Sequence, residues 1–235
     1  MYNILVVDDD REIVKAIEIY LKREGYNVEK AYDGIEAINK LKEKEIHLII
    51  LDIMMPNQDG LETLQKIRET KAIPVILLSA KSEDYDKISG LDLGADDYIT
   101  KPFNPLELVA RVNSNVRRYV SLGSLKGMDT KTGDKIYRSG ELVLDDETKK
   151  VTVDGKEIKL TATEYNILKF LLKNKGKVYS ISEIYENVWN EDSIAAENIM
   201  AVHIRHIREK IEINPKEPKY LKVIWGIGYK IENIK

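Results

Sequence analysis

The chain of 235 residues contains no cysteine. That excludes a disulfide framework, a thiolate metal site and a cysteine nucleophile, and it fits a reducing, cytoplasmic setting. Phenylalanine and tryptophan occur twice each and proline six times. Long apolar runs are also missing. Ile4–Val7 ends at Asp8, Asp9 and Asp10, too soon for a signal peptide or a membrane span. No later run approaches the roughly 18 residues a span requires, so no membrane association is expected. Neither sign of charge dominates, with 37 Lys+Arg against 40 Asp+Glu. With 43% hydrophobic and 33% charged residues, the composition is that of an ordinary globular protein. The length suits one large domain or two small ones. The charge is unevenly spread: residues 1–120 hold 17 basic and 22 acidic residues, and residues 121–235 hold 20 and 18. This asymmetry points to two domains with different roles. The basic excess of the second is too small to indicate nucleic-acid binding by itself.

The first half alternates strand and helix signals. Short continuous apolar runs at Ile4–Val7, Leu48–Leu51 and Val75–Leu78 read as strands covered on both faces. Weaker strands fit Val28–Lys30 and Tyr98–Thr100. Helical stripes lie between them: Ile13, Val14, Ile17 and Leu21, then Ile35, Ile38 and Leu41, then Leu61, Leu64 and Ile67. A further helix fits between Asp84 and Gly94, and a last one from Pro105 to about Arg118. Five strands alternating with five helices predict an α/β doubly wound, flavodoxin-like domain over residues 1–120. Residues 121–137 are polar, Gly-containing and without periodicity, and read as a linker. Residues 138–235 read as an α+β domain. Short antiparallel strands at Glu141–Asp145, Lys150–Val153 and Lys156–Lys159 precede helices opening at Thr161, at Ile181 and at Ala195. A terminal hairpin spans Tyr220–Val223 and Gly226–Ile231. This is the element order of a winged helix.

A doubly wound sheet binds ligands beyond the carboxyl ends of its strands. Those ends carry Asp8 and Asp9, Asp52, Ser79, and Thr100-Lys101-Pro102. Three crowded carboxylates repel one another unless a cation sits among them. Their hard oxygens suit Mg²⁺, and a carboxylate beside Mg²⁺ can attack phosphorus to give an aspartyl phosphate. Lys101 would neutralise charge on the phosphoryl oxygens, and Ser79 could donate a hydrogen bond to them. Asp10 reads instead as the N-cap of the first helix. In the second domain, Met200, Ile204, Ile207 and Ile211 line one face of the helix over 195–213. Asn198, Val202, Arg205, His206 and Glu209 lie opposite, with Arg208 on one flank and His203 and Lys210 on the other. An exposed basic face of this kind suits the major groove of double-stranded DNA.

Residues Ile4–Asp10, Leu51-Asp52-Ile53-Met54-Met55-Pro56 with Asp59-Gly60, Leu78-Ser79-Ala80 and Gly94–Phe103 resemble a response-regulator receiver. Ala201–Ile211, Thr161-x-x-Glu164-Tyr165-x-x-Leu168 and Gly226-x-Gly228-Tyr229 resemble the DNA-binding domain of OmpR/PhoB-type regulators. The wing and recognition helix are most similar to the vancomycin-resistance subgroup. The resemblance implies a non-enzymatic transcription regulator phosphorylated on Asp52 by a sensor histidine kinase. It implies Mg²⁺ held by Asp8, Asp9, Asp52 and the Met54 carbonyl. Ser79 and Tyr98 are implied as a switch pair, Lys101 as the phosphate partner, and Lys101-Pro102 as a cis peptide. It further implies a homodimer on phosphorylation, through Lys87 with Glu107, Asp97 with Arg111 and Asp96 with Arg118, and contact with RNA polymerase. On DNA, Arg205, His203 and Arg208 would hold phosphates and His206 would read a base. Trp189, in the loop before the helix, and Tyr229, in the wing, would touch the backbone, and Asn198 would belong to the same surface. Trp225 stands where many relatives have arginine. Two alternatives remain: a regulator controlled without phosphate, and a Mg²⁺-dependent phosphohydrolase. The second would need a general acid two residues after Asp52, where Met54 cannot transfer a proton.

Overall fold

A computed structural model describes residues 1–80, 90–123, 135–189 and 196–234. It divides into two compact units, Met1–Tyr119 and Val120–Lys235. No helix among the described residues is long and apolar enough to cross a membrane.

The first unit is a five-stranded parallel sheet in the order β2-β1-β3-β4-β5. The strands are β1 (Asn3–Val7), β2 (Asn27–Ala31), β3 (Leu48–Asp52), β4 (Val75–Ala80) and β5 (Asp97–Lys101). The apolar runs of β1, β3 and β4 occupy its centre and are fully buried, as strands covered on both faces must be. Helices α1 (Arg11–Arg23), α2 (Gly34–Glu43), α3 (Gly60–Thr70) and α4 (Pro105–Gly123) connect or follow these strands. An aspartate caps each of the first three: Asp10 accepts from Glu12 N at 2.8 Å, Asp33 from Glu36 N at 2.8 Å and Asp59 from Glu62 N at 2.8 Å. These caps satisfy amides that have no partner inside their helices. Helix α2 departs from its expected stripe. It buries Gly34, Ala37 and Leu41, while Ile35 is 52% exposed. The close approach of α3 explains this, because a Cβ on Gly34 would lie 2.0 Å from Thr63 Oγ1. The helix expected between Asp84 and Gly94 lies mostly outside the described residues.

The second unit opens with an antiparallel sheet of β6 (Ile136–Ser139), β7 (Leu142–Asp145), β8 (Lys150–Val153) and β9 (Lys156–Ile158). Strand β6 was not expected, and it begins inside the segment read as a linker. Helices α5 (Ala162–Lys173), α6 (Ile181–Trp189) and α7 (Ala196–Ile211) follow, then a hairpin of β10 (Leu221–Ile224) and β11 (Gly228–Ile231). Helix α5 starts with the expected capping box, Thr161 with Glu164. An isolated bridge joins Tyr179 to Tyr229 in the hairpin. The chain end returns to the start of this unit: Ser139 Oγ donates to Glu232 O at 2.5 Å, and Gly140 N donates to Ile234 O at 3.1 Å.

Candidate phosphoacceptor site and nucleic-acid interface

In the first unit β1 and β3 are neighbours, although helices on both faces separate them in sequence. Asp8 and Asp9 follow the end of β1, and Asp52 ends β3. One carboxylate oxygen from each lies within 4.8 Å of the others. Asp8 and Asp52 are buried and Asp9 is exposed, so the cluster is walled by protein on one side and open on the other. Lys101, at the end of β5, places Nζ 2.7 Å from Asp8 Oδ2 and 2.7 Å from Asp52 Oδ1. Asp8 Oδ1 accepts from Asp10 N at 3.0 Å, which fixes the carboxylate nearest the sheet.

Burial pushes the Asp52 carboxyl up to about 6. Lys101 pulls against this, while the neighbouring Asp8 and Asp9 charges add to it. Burial likewise pulls the Lys101 ammonium down, but its hydrogen bonds to Asp52 and Asp8 outweigh that and hold it above an ordinary lysine. One ammonium among three carboxylates leaves excess negative charge in a set of hard oxygen donors. That donor set fits a Mg²⁺ ion. Gly60 is required beside the site: a Cβ there would lie 2.1 Å from the backbone oxygen of Asp52. Ser79 is buried and pairs in register with Thr100 on β5, and Tyr98 is half-buried two residues earlier. Met54 follows β3 with its side chain 60% exposed. The Lys101-Pro102 peptide is cis.

Residues 4–113 match the response regulator receiver domain family, and residues 155–231 match the family described as transcriptional regulatory protein, C terminal. The chain belongs to the OmpR/PhoB family of two-component response regulators. The regulatory protein VanR of Enterococcus faecium is 45% identical over 231 residues, covering 98% of each chain. The alkaline phosphatase synthesis transcriptional regulatory protein PhoP of Bacillus subtilis is 40% identical, covering 99% of this chain and 98% of that one. The structure of DrrB from Thermotoga maritima, an OmpR/PhoB homolog, is 36% identical with a TM-score of 0.51 over 99% of each chain. A variant of RitR, at 24% identity and a TM-score of 0.76, agrees in fold. This response regulator therefore joins a receiver to a winged-helix DNA-binding domain.

The receiver's expected dimer charges are placed differently from the sequence reading. Asp96 is fully buried; it accepts from Arg68 Nη2 at 2.9 Å and from Val75 N at 3.0 Å. Arg118 is 4% exposed and donates to Ser114 Oγ at 2.7 Å. Within this chain, both side chains of the expected Asp96–Arg118 pair already have internal partners. Asp97, also buried, pairs with Arg111 of the same protomer at 2.7 Å, and Arg111 reaches Glu107 at 3.1 Å. Lys87 lies outside the described residues.

In the winged helix, two expected DNA contacts prove to be core. Trp189 ends α6 instead of standing in a loop. It is 0% exposed and stacks on Tyr185 with ring centroids 4.6 Å apart. His203 is 2% exposed, with its ring 5.9 Å from that of Trp189. The buried face of α7 thus includes Ile199, Met200, His203, Ile204, His206, Ile207 and Ile211 and is wider than the aliphatic stripe. Ala201, Arg205, Glu209 and Lys210 remain exposed. Arg208 is half-buried and donates from Nε to Leu221 O at 2.9 Å, tying the helix to the hairpin. Tyr229 is half-buried in β11. Trp225 is 88% exposed at the tip of the wing and does not pack on the hairpin. The Asn198 side chain lies outside the described residues.

His206 is 8% exposed. Burial holds its imidazole below the usual 6.5, while Glu164 pulls the other way and Arg205 adds to the lowering. A depressed value in the fold means that His206 contributes stability in full above pH 6.5, and that this is lost as pH falls toward the folded value. In an NMR titration His206 is expected to change charge with a midpoint below 6.5. A midpoint at or above that value contradicts the burial argument.

Proposed function

We propose that Asp52 is the phosphoacceptor, that phosphorylation by a sensor histidine kinase drives receiver dimerisation, and that the dimer binds promoter DNA in the cytoplasm. The observation that carries this reading is the convergence of Asp8, Asp9, Asp52 and Lys101 at the carboxyl edge of one sheet. In this reading the receiver spans 1–120, the linker 121–137 and the DNA-binding domain 138–235.

An Asp52 oxygen attacks phosphorus as the phosphorus–nitrogen bond of the donor histidine breaks. The leaving imidazole keeps the electron pair. Lys101, already between Asp8 and Asp52, turns its ammonium to a phosphoryl oxygen. Asp8, Asp9, Asp52 and the Met54 carbonyl would hold Mg²⁺, and its charge would help neutralise the phosphoryl oxygens when bound. The added group brings close to two negative charges and three acceptor oxygens. Ser79 donates to it, and Tyr98 turns inward as the adjoining loop shifts. A symmetric dimer across this face exchanges the internal Asp97–Arg111 pair for the same pair made between protomers. The exchange swaps one Asp97–Arg111 pair for an equivalent one, so the charges set register more than affinity. RNA polymerase is the partner of the DNA-bound dimer.

Intact-mass measurement after incubation with acetyl phosphate and Mg²⁺ tests the chemistry. A single phosphate adduct is expected on the wild type, none on Asp52→Ala, and none without Mg²⁺. An adduct of equal yield on both proteins would place the acceptor elsewhere. No adduct from acetyl phosphate or from a phosphorylated histidine kinase would support regulation without phosphate.

A further inference from the structure

Helix α7 exposes Ala201, Arg205 and Glu209 about one turn apart. Arg205 is held from two sides, with Nη2 3.3 Å from His206 Nε2 and Nε 3.6 Å from Glu209 Oε1. A guanidinium donates and never accepts. The ring nitrogen facing it is therefore the acceptor, and the imidazole proton sits on Nδ1, which faces Glu164 Oε1 at 3.9 Å. Glu164 is 1% exposed. Its carboxylate is fixed by Thr161 N at 2.8 Å and by Lys210 Nζ at 2.6 and 2.7 Å. The buried carboxylate of Glu164 thus lies near one edge of the imidazole, beyond hydrogen-bond distance, and the other edge meets a guanidinium at the surface of α7.

We propose that Arg205 is the base-reading residue of this helix, that its target is a guanine, and that His206 and Glu164 are positioning residues that orient it. The proposal rests on the DNA-binding reading above and reverses the expected roles of Arg205 and His206. Three observations support it. His206 is too deeply buried to reach a base edge, whereas the Arg205 side chain is 46% exposed. A phosphate is neutralised by a flexible cation and needs no buried scaffold behind it. A guanine does, because its O6 and N7 match the guanidinium fork only in one plane. Ala201, one turn away, presents only a methyl group and lets the helix lie close to the groove floor. Burial keeps the His206 ring neutral near pH 7, leaving its Nε2 lone pair available to Arg205.

The test uses the full chain treated with acetyl phosphate and Mg²⁺, and duplexes that the wild type selects from a randomised pool. Each base pair of the selected site is then changed in turn, and the affinity ratio is measured. For the wild type, one G·C position is expected to cost about tenfold or more when changed. In Arg205→Ala the ratio at that position should fall to near one. In His206→Leu it should fall partway, and His206→Gln, which retains an acceptor, should restore it. The proposal is overturned if Arg205→Ala weakens every duplex by the same factor with the ratio intact and a salt slope lower by about one, the signature of a phosphate contact. A His206→Leu ratio equal to that of wild type removes the positioning role. If the wild type selects no duplex, the DNA-binding reading fails as well.

Discussion

Acetyl phosphate with Mg²⁺ is expected to tighten wild-type binding to a duplex carrying two adjacent half-sites by about 10² or more, and to leave Asp52→Ala unchanged. The magnitude follows from tethering. Once two receivers associate, binding of the second winged helix becomes intramolecular, and linked modules gain about 10²–10⁴ over either alone. The substitution removes the nucleophile and leaves Lys101 with Asp8 at 2.7 Å. Loss of fold does not explain such a result. Burial and the neighbouring carboxylates already disfavour an ionised Asp52 in the metal-free protein, so deleting this carboxylate relieves repulsion. Fluorescence anisotropy with a labelled duplex, with and without phosphodonor, measures the effect. Weak unstimulated binding should survive in both proteins. Equal stimulation of both would remove Asp52 from the signalling step.

The second large effect is expected at Gly228. Its φ is +156° in the first position of β11, and a Cβ would lie 1.9 Å from Tyr179 O and 2.7 Å from Tyr179 C. Those are backbone atoms, and a rotamer change cannot clear them. They also belong to the bridge in which Tyr179 N donates to Tyr229 O at 3.0 Å and Tyr229 N donates to Tyr179 O at 2.9 Å. Gly228→Ala should therefore separate the wing from the segment before α6 and destabilise the second unit by about 3 kcal/mol or more. That corresponds to roughly 10 °C or more in melting temperature for a unit of this size. Gly155 supplies the comparison. Its φ is +74° with nothing within 4 Å of the added carbon, so Gly155→Ala should cost only about 1 kcal/mol. Both tryptophans, Trp189 and Trp225, lie in the second unit. Thermal unfolding followed by tryptophan emission on the full chain therefore reports on it alone. Equal melting temperatures for the two variants would refute the steric argument.

The receiver fold and its acidic centre were legible because each signal was local. Continuous apolar runs specify central parallel strands, and each run ends at the residue that faces the site. The errors arose where a partner lies far away in sequence. Asp96 and Asp97 read as surface charges, but Arg68 and Arg111 approach them from other elements and make burial affordable. Helical angle against the aliphatic stripe placed His206 opposite it and His203 on a flank. Trp189 and Glu164, contributed by α6 and α5, turn them inward. Strand β6 went unread because Ile136-Tyr137-Arg138-Ser139 is short, sits at a sheet edge and follows a polar segment, so alternation had too few residues to register. In α2, burial of Gly34 and Ala37 in place of Ile35 reflects how close α3 comes, which no periodicity encodes.

The closure of the second unit on itself bears on how such proteins diversify. Ser139 and Gly140, near its first strand, are bonded to Glu232 and Ile234 at its last. The first strand of the unit and the residues after its last strand therefore lie side by side. A module closed in this way can be joined to a different sensor-responsive partner through a single junction. Recombination at that junction exchanges the signal received while leaving the site read on DNA intact.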